Sequence, residues 1–245
     1  MARFLLKMLV VVLVGMFLTA GQAVAGTISV TVKNLTNGIY FTPLLVTAHN
    51  KETRLFEVGT SATLALQAMA EGGDISLLSG LVGGPDRDTI ENPAAGLLAP
   101  GGIVSDILLD PEQSQNRYLS LVAMLLPTND GFVGLDSLLI PRATGTYKYY
   151  LFGYDAGTEA NDEVITGGGA PGVPGIPAAP GGDGGFGGTG FAGNDTNSKV
   201  HIHRGIVGDS DPEGGVSDLD SRVHRWLNPV AEVVIKVNRQ QREND

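Results

Sequence analysis

The chain has 245 residues, 42% of them hydrophobic, with 35 glycines, no cysteine and a formal net charge of -10. That length allows one large domain or two small ones with a proper core, and the missing cysteines exclude disulfides as a source of stability. So acidic a chain is not built for DNA, RNA or anionic lipid, whose phosphates would repel it; it suits a cation binder or simply a soluble exported protein.

The first 25 residues have the layout of an export signal. Arg3 and Lys7 form a basic start, residues 8–20 are apolar, and Ala23-Val24-Ala25 is a small-x-small cleavage signal, so cleavage is expected after Ala25. Losing those two positive charges takes the net charge from -10 to -12. No later segment is long enough to span a membrane as a helix, residues 119–127 being far too short. Exported chains often carry disulfides, and a cysteine-free one fits a bacterial envelope better than an animal secretory route.

Residues 27–32 (TISVTV) alternate as a half-buried strand does. Asn37-Gly38 is a turn signal before a second strand over 40–48, in which Pro43 requires an edge position or a bulge. Ser61 can cap a short helix over 62–71, and Gly72-Gly73 would end it. Residues 80–102 read mostly as loop, punctuated by Gly and Pro. Strands are then expected over 103–109, 118–126, 135–140 and 146–152. Residues 167–194 form a Gly/Pro-rich insert without collagen's strict every-third glycine, expected to be a mobile loop. Residues 199–207 and 230–237 supply the closing β-branched strands, and 239–245 should be a frayed tail. Seven or eight short strands and one short helix predict a single all-β domain over 26–238, an antiparallel β-sandwich with a long Gly-rich loop.

Two stretches carry the acidic chemistry, PTNDGFVGLDS at 127–137 and YDAGTEANDE at 154–163. In each, an apolar strand runs into a polar, acidic loop. Asp155 and Glu159 flank Ala156-Gly157, so the chain can turn and bring both carboxylates together. Calcium takes six to eight oxygens, mixing carboxylates with backbone carbonyls, and two strand-end loops can supply such a shell. An acidic loop of this kind is otherwise simply solvated.

These two stretches resemble the spondin N-terminal domain family, which shows a Pro-x-x-Asp, an aromatic and Val-Gly segment, and an Asp-Ala-Gly-Thr-acid loop. The likeness extends to the opening strand, to Glu71-Gly-Gly-Asp74 after the helix and to the closing Asn228-Pro-Val-Ala-x-Val-Val strand. It implies a C2-like β-sandwich holding one Ca2+ through Asp130, Asp155 and Glu159. Glu159 stands where the family commonly has Asp, which keeps the charge and adds a methylene. Asp136 is placed to hydrogen-bond the loop, and Asp162 is a possible extra ligand. Animal members carry cysteines near these loops and this chain carries none, so their matrix roles do not transfer with the fold.

Other groups were weighed. Asp209, Asp211, Glu213, Gly214 and Asp220 follow D-x-D-x-E-G-x5-D, an EF-hand-like spacing with Pro212 at position four, Asp in place of the final Glu and no helix before it. His201 and His203 lie two apart on a strand and, with His224, could hold Zn or Cu, or pack on a sheet face. Trp226 reads as a packing residue. No cysteine nucleophile, G-x-S-x-G or H-E-x-x-H is present. The sequence therefore predicts a non-enzymatic, exported calcium-binding module. It would serve adhesion to a protein or glycan at the cell surface, in the envelope or beyond. The alternatives are an envelope carbohydrate hydrolase using Asp130 and Asp155, and a purely structural surface protein.

Overall fold

A computed structural model describes residues 27–82, 88–111, 116–191 and 198–238. The expected signal segment, the expected tail and residues 192–194 of the insert lie outside the described residues. The described chain is all-β with two helices and ten strands; eight of the strands follow one antiparallel sheet path, from residues 88–91 at one end to residues 103–109 at the other, and two short strands pair beside it. One half of the sandwich contains β1 (Ile28–Asn34), β5 (Ile103–Leu109) and β10 (Ala231–Val237). The other contains β2 (Tyr40–Phe41), β3 (Leu45–His49), β4 (Asp88–Glu91), β6 (Tyr118–Leu126) and β7 (Gly131–Leu139). β8 (Gly145–Asp155) belongs to both halves, pairing with β10 through Gly145–Leu151 and with β7 through Phe152–Asp155. The short β9 (His201–Ile202) adds to the end of β8.

Alternation explains how the strands lie. In β1 and β10 every second residue is fully covered, among them Ile28, Val30, Val32, Val233 and Ile235. β6 is apolar on both faces and buried along nearly its whole length, because α1 (Leu64–Gly72) lies across it while the sandwich interior covers its other side. Phe41, Leu45, Leu121, Met124 and Phe132 are all fully buried.

The predicted strand over 40–48 is broken into β2 and β3 at Thr42-Pro43-Leu44. Phe41 pairs with Leu125 and Leu45 with Val122, so four steps on one strand match three on the other. Pro43 therefore sits at a bulge, as its missing N–H requires.

Four local expectations are corrected: the closing strand over 199–207 forms only at His201–Ile202, and three others concern the helices and the stretch after them. The helix starts at Leu64, not Ala62, and its N-cap is Thr63, whose hydroxyl accepts the Leu66 N–H at 3.1 Å. Thr63 and Ser61 are both good caps, and the next turn's packing selects the later one. Gly73 ends the helix in the left-handed region (φ 72°), where glycine carries no Cβ penalty. A second helix, α2 (Ser76–Leu81), follows where only one was expected; it buries Leu78 and packs on α1. Finally, the stretch read as loop over 80–102 contains β4, which pairs with β3 and meets β5 so that the two ends of the sheet path come together.

The described part of the Gly/Pro-rich insert, residues 167–191, has no helix or strand. It lies against the body, with Ile176 fully buried and its N–H bonded to the Val164 carbonyl at 2.9 Å.

Thr63→Ala should cost about 1 kcal/mol, the usual worth of an N-cap hydroxyl, while Ser61→Ala should be nearly neutral. Urea unfolding of the two variants checks this; equal losses would return the cap to Ser61.

Candidate functional site

The acidic loops meet at one end of β7 and β8. Gly131 pairs with Asp155 across the ladder, and the Ala156 N–H bonds to the Asp130 carbonyl at 3.2 Å, so Asp130 and Asp155 end adjacent strands side by side. Thr128 fixes the first loop by accepting the Gly131 N–H at 2.9 Å. Gly157 fixes the second: it lies at φ 70°, and a Cβ there would come within 2.6 Å of the Lys199 backbone nitrogen. Only glycine meets both demands.

Asp130 is fully buried and Asp155 nearly so. Asp130 Oδ2 accepts the Thr158 N–H at 2.7 Å, the Glu159 N–H at 3.1 Å and the Thr158 hydroxyl at 3.2 Å. Asp155 Oδ1 accepts the Gly157 N–H at 2.8 Å, and its Oδ2 accepts from Asn161 Nδ2 at 2.7 Å. Glu159 Oε2 takes the N–H of Gly175, from the insert, at 3.0 Å. The two remaining oxygens, Asp130 Oδ1 and Glu159 Oε1, are buried without a hydrogen-bond partner. Burial, and next the adjacent Asp155 carboxylate, push Asp130 up to about 7. Burial, and next Glu71, push Glu159 up to about 7 as well. Both are the behaviour of carboxyls that lack a compensating positive charge.

The other acids of the two stretches are placed differently. Asp162 Oδ1 accepts from Asn129 Nδ2 at 2.8 Å and from the Val164 N–H at 3.1 Å, so it orients Asn129 behind the first loop. Asp136 lies further along β7, paired with Arg54 and accepting the Ser137 hydroxyl at 2.9 Å. Glu163 and Glu71 were not singled out as site residues. Glu163 is buried and takes the N–H groups of Val207 and Gly208 at 2.7 and 2.8 Å. Glu71, also buried, takes the Gly172 N–H of the insert at 2.6 Å. The one signal for Glu71 was its place in the Glu-Gly-Gly-Asp stretch.

Among the described residues no three His, Asp or Glu side chains converge closely enough to hold a metal unaided. His201 lies 3.6 Å from Asp155, the His203 ring packs at a tilt against Trp226 with centroids 5.1 Å apart, and His224 is buried with its pKa lowered by burial. In the EF-hand-like stretch, Asp209 already receives the N–H groups of Asp211, Val216 and Ser217, and Asp220 is paired with Arg222. Trp226 is a packing residue, its ring covering Gly153 so closely that a Cβ there would lie 2.5 Å away.

The family model described as Spondin_N matches residues 33–164, more than half of the chain and both acidic loops. The chain belongs to the spondin N-terminal domain family. No curated protein matches it. Spondin N-terminal domains are typically extracellular and are not a known enzyme family. Among the described residues no helix of this spondin domain is long and apolar enough to cross a membrane.

Asp130 and Glu159 stand above ordinary carboxylate values in the folded state, so their contribution to stability is fully present below about pH 4 and is lost as pH rises through about 7. In EDTA, the melting temperature of the wild type should therefore fall between about pH 5 and 8 relative to Asp130→Asn, which cannot titrate. Parallel profiles for the two proteins would contradict this.

Proposed function

We propose that this spondin domain is an exported interaction module whose two acidic loops are locked by a calcium ion. The observation that carries the reading is the pair of buried, unpartnered carboxylate oxygens, Asp130 Oδ1 and Glu159 Oε1. A buried polar atom without a partner costs about 1–3 kcal/mol, and a charged one more. A hard divalent cation removes that cost and accepts oxygens of this kind. Asp130, Asp155 and Glu159 would hold the ion, with backbone carbonyls and water completing a shell that three acids alone do not fill. Its chemistry there is charge neutralisation: the buried carboxyls of Asp130 and Glu159, raised first by burial, would become compatible with their acidic neighbours around it.

Burial supports a structural role for such an ion. Asp130 is 0% and Asp155 2% exposed, so neither is presented to a partner's carboxylate, and neither suits acid–base attack on a glycosidic bond. Recognition then belongs to surfaces that the locked loops hold in place. Adhesion to a protein or glycan at the cell envelope is the use that fits a cysteine-free, acidic module with a leader of export type.

Calcium at 100 times its Kd would stabilise the fold by about 2.7 kcal/mol, or about 5–10 °C in melting temperature for a domain of this size. That rise over EDTA should appear in the wild type and in Asp136→Asn, and should be lost in Asp130→Asn and Glu159→Gln. Differential scanning calorimetry with metal analysis of the purified chain decides the matter; a wild type indifferent to calcium sinks the metal reading.

A further inference from the structure

β8 changes partners midway, and a groove opens where it does so. The β7–β8 ladder runs from Gly131–Asp155 to Gly134–Phe152 and stops. Beyond that point β7 continues beside β6 to Leu139, while β8 follows β10. The divergence leaves a groove of about 430 Å3 lined by Arg54, Phe56, Asp136, Tyr150, Phe152 and Tyr154, among others.

The lining is aromatic for a local reason. Residues two apart on a strand share a face, so Tyr150, Phe152 and Tyr154 form a stripe with about 6.5–7 Å between successive positions. Tyr150 is 55% and Phe152 44% exposed, although the residues between them, Leu151 and Gly153, are buried. Phe152 is uncovered because its ladder partner is Gly134, which has no side chain. That glycine is itself required: a Cβ there would lie 2.6 Å from the Phe56 ring. Phe56 and Tyr154, with centroids 5.1 Å apart, form the groove floor, and Phe132 backs Phe56 edge-on at 5.0 Å. The two floor rings are therefore held by packing before any ligand arrives.

The polar part is equally fixed. Asp136 is clamped between Arg54 and the Ser137 hydroxyl, so its carboxylate has one orientation, and the Arg54 guanidinium carries several N–H donors in a rigid fork. Those two charges cancel, and the exposed Glu57 of the lining leaves the groove one negative charge, which disfavours an anionic ligand. What the groove presents is exposed ring faces beside positioned donors and acceptors, without a strong field of either sign.

We propose that this groove binds a neutral glycan chain. Sugar rings offer apolar C–H faces to aromatic rings and hydroxyls to a carboxylate–guanidinium pair, and both requirements are met here within one groove. A polyanion would meet a paired charge on a chain of net charge -10. An extended peptide would draw on the strand edges and leave the ring stripe unused. The proposal rests on the reading of this domain as an interaction module and names its ligand class; it does not depend on the metal.

The test is affinity electrophoresis of the purified chain in native gels cast with a β-glucan, a mannan or an arabinoxylan, with alginate as the anionic control, in EDTA and in calcium. At least one neutral polysaccharide should retard the wild type and alginate should not. Tyr150→Ala/Phe152→Ala should weaken binding about tenfold or more, Asp136→Asn should weaken it, and Tyr150→Phe should retain it. Each variant is run only where it melts cooperatively at the wild-type temperature; the exposed position of both rings makes this attainable, and Tyr150→Ala alone serves if the double variant does not fold. Retardation by none of the neutral polysaccharides, or retardation that survives loss of the rings, overturns the proposal. So does selection, from a random peptide library, of sequences whose binding is lost in the same variants while glycans fail. Since the readout is mobility and not melting temperature, failure here leaves the calcium shift to stand or fall separately.

Discussion

The structure depends on buried carboxylates that accept backbone N–H groups from distant loops. A chain with long connections and no cysteine must close them by other means, and this one uses acids as clasps. Glu163 gathers Val207, Gly208 and the Ser217 hydroxyl. Asp218 holds Ile165 and Gly188 at 2.8 Å each, while Glu71 and Glu159 hold Gly172 and Gly175 of the insert. A hydrogen bond to a charged group contributes about 1.5–3 kcal/mol, so each clasp offsets part of the entropy of ordering its loop. The glycines make the arrangement possible by letting backbone N–H groups approach a carboxylate without side chains intervening.

The same device explains why the acidic loops differ from the other clasps. At Glu163 and Asp218 both carboxylate oxygens have donors. At Asp130 and Glu159 the backbone satisfies one oxygen of each and leaves the other bare. Donors run out at this end of the strand pair, and burial, with neighbouring carboxylates second, raises both pKa values. The insert is joined to it through Glu159, so whatever neutralises that carboxyl also governs how firmly Gly175 is held.

Much of the fold was legible because its signals are local. The strand over 118–126 was read with its observed bounds, Pro43 marked a bulge, and Gly73 ended the helix as a left-handed cap. The misses have a common cause. α2 and β4 lie in a stretch rich in Gly and Pro, where weak periodicity is overruled by packing on α1 and pairing with β3. The pairing of the acidic loops was legible from their two motifs together. The roles of Glu71, Glu163 and Asp218 were not, because a carboxylate whose partners are backbone N–H groups tens of residues away leaves no spacing to read. The aromatic groove was hidden for a related reason: six tyrosines and eight phenylalanines are few for so long a chain, and only the divergence of β7 and β8 gathers four of these rings in one place.

β8 connects these features, and its alternation keeps them apart. Asp155 is buried at the strand's end beside Asp130, while Tyr154, one residue earlier, takes the opposite face and lines the groove. The residue that ends the ladder at the acidic loops and the ring that floors the groove therefore share a backbone, fixed by the pairing of β8 with Gly131, Phe132, Val133 and Gly134 of β7. Locking the loops stiffens that short ladder without touching the exposed rings. The proposed ion at one end and the proposed recognition surface along the other face would be compatible demands on one strand, because a period of two assigns them to different sides.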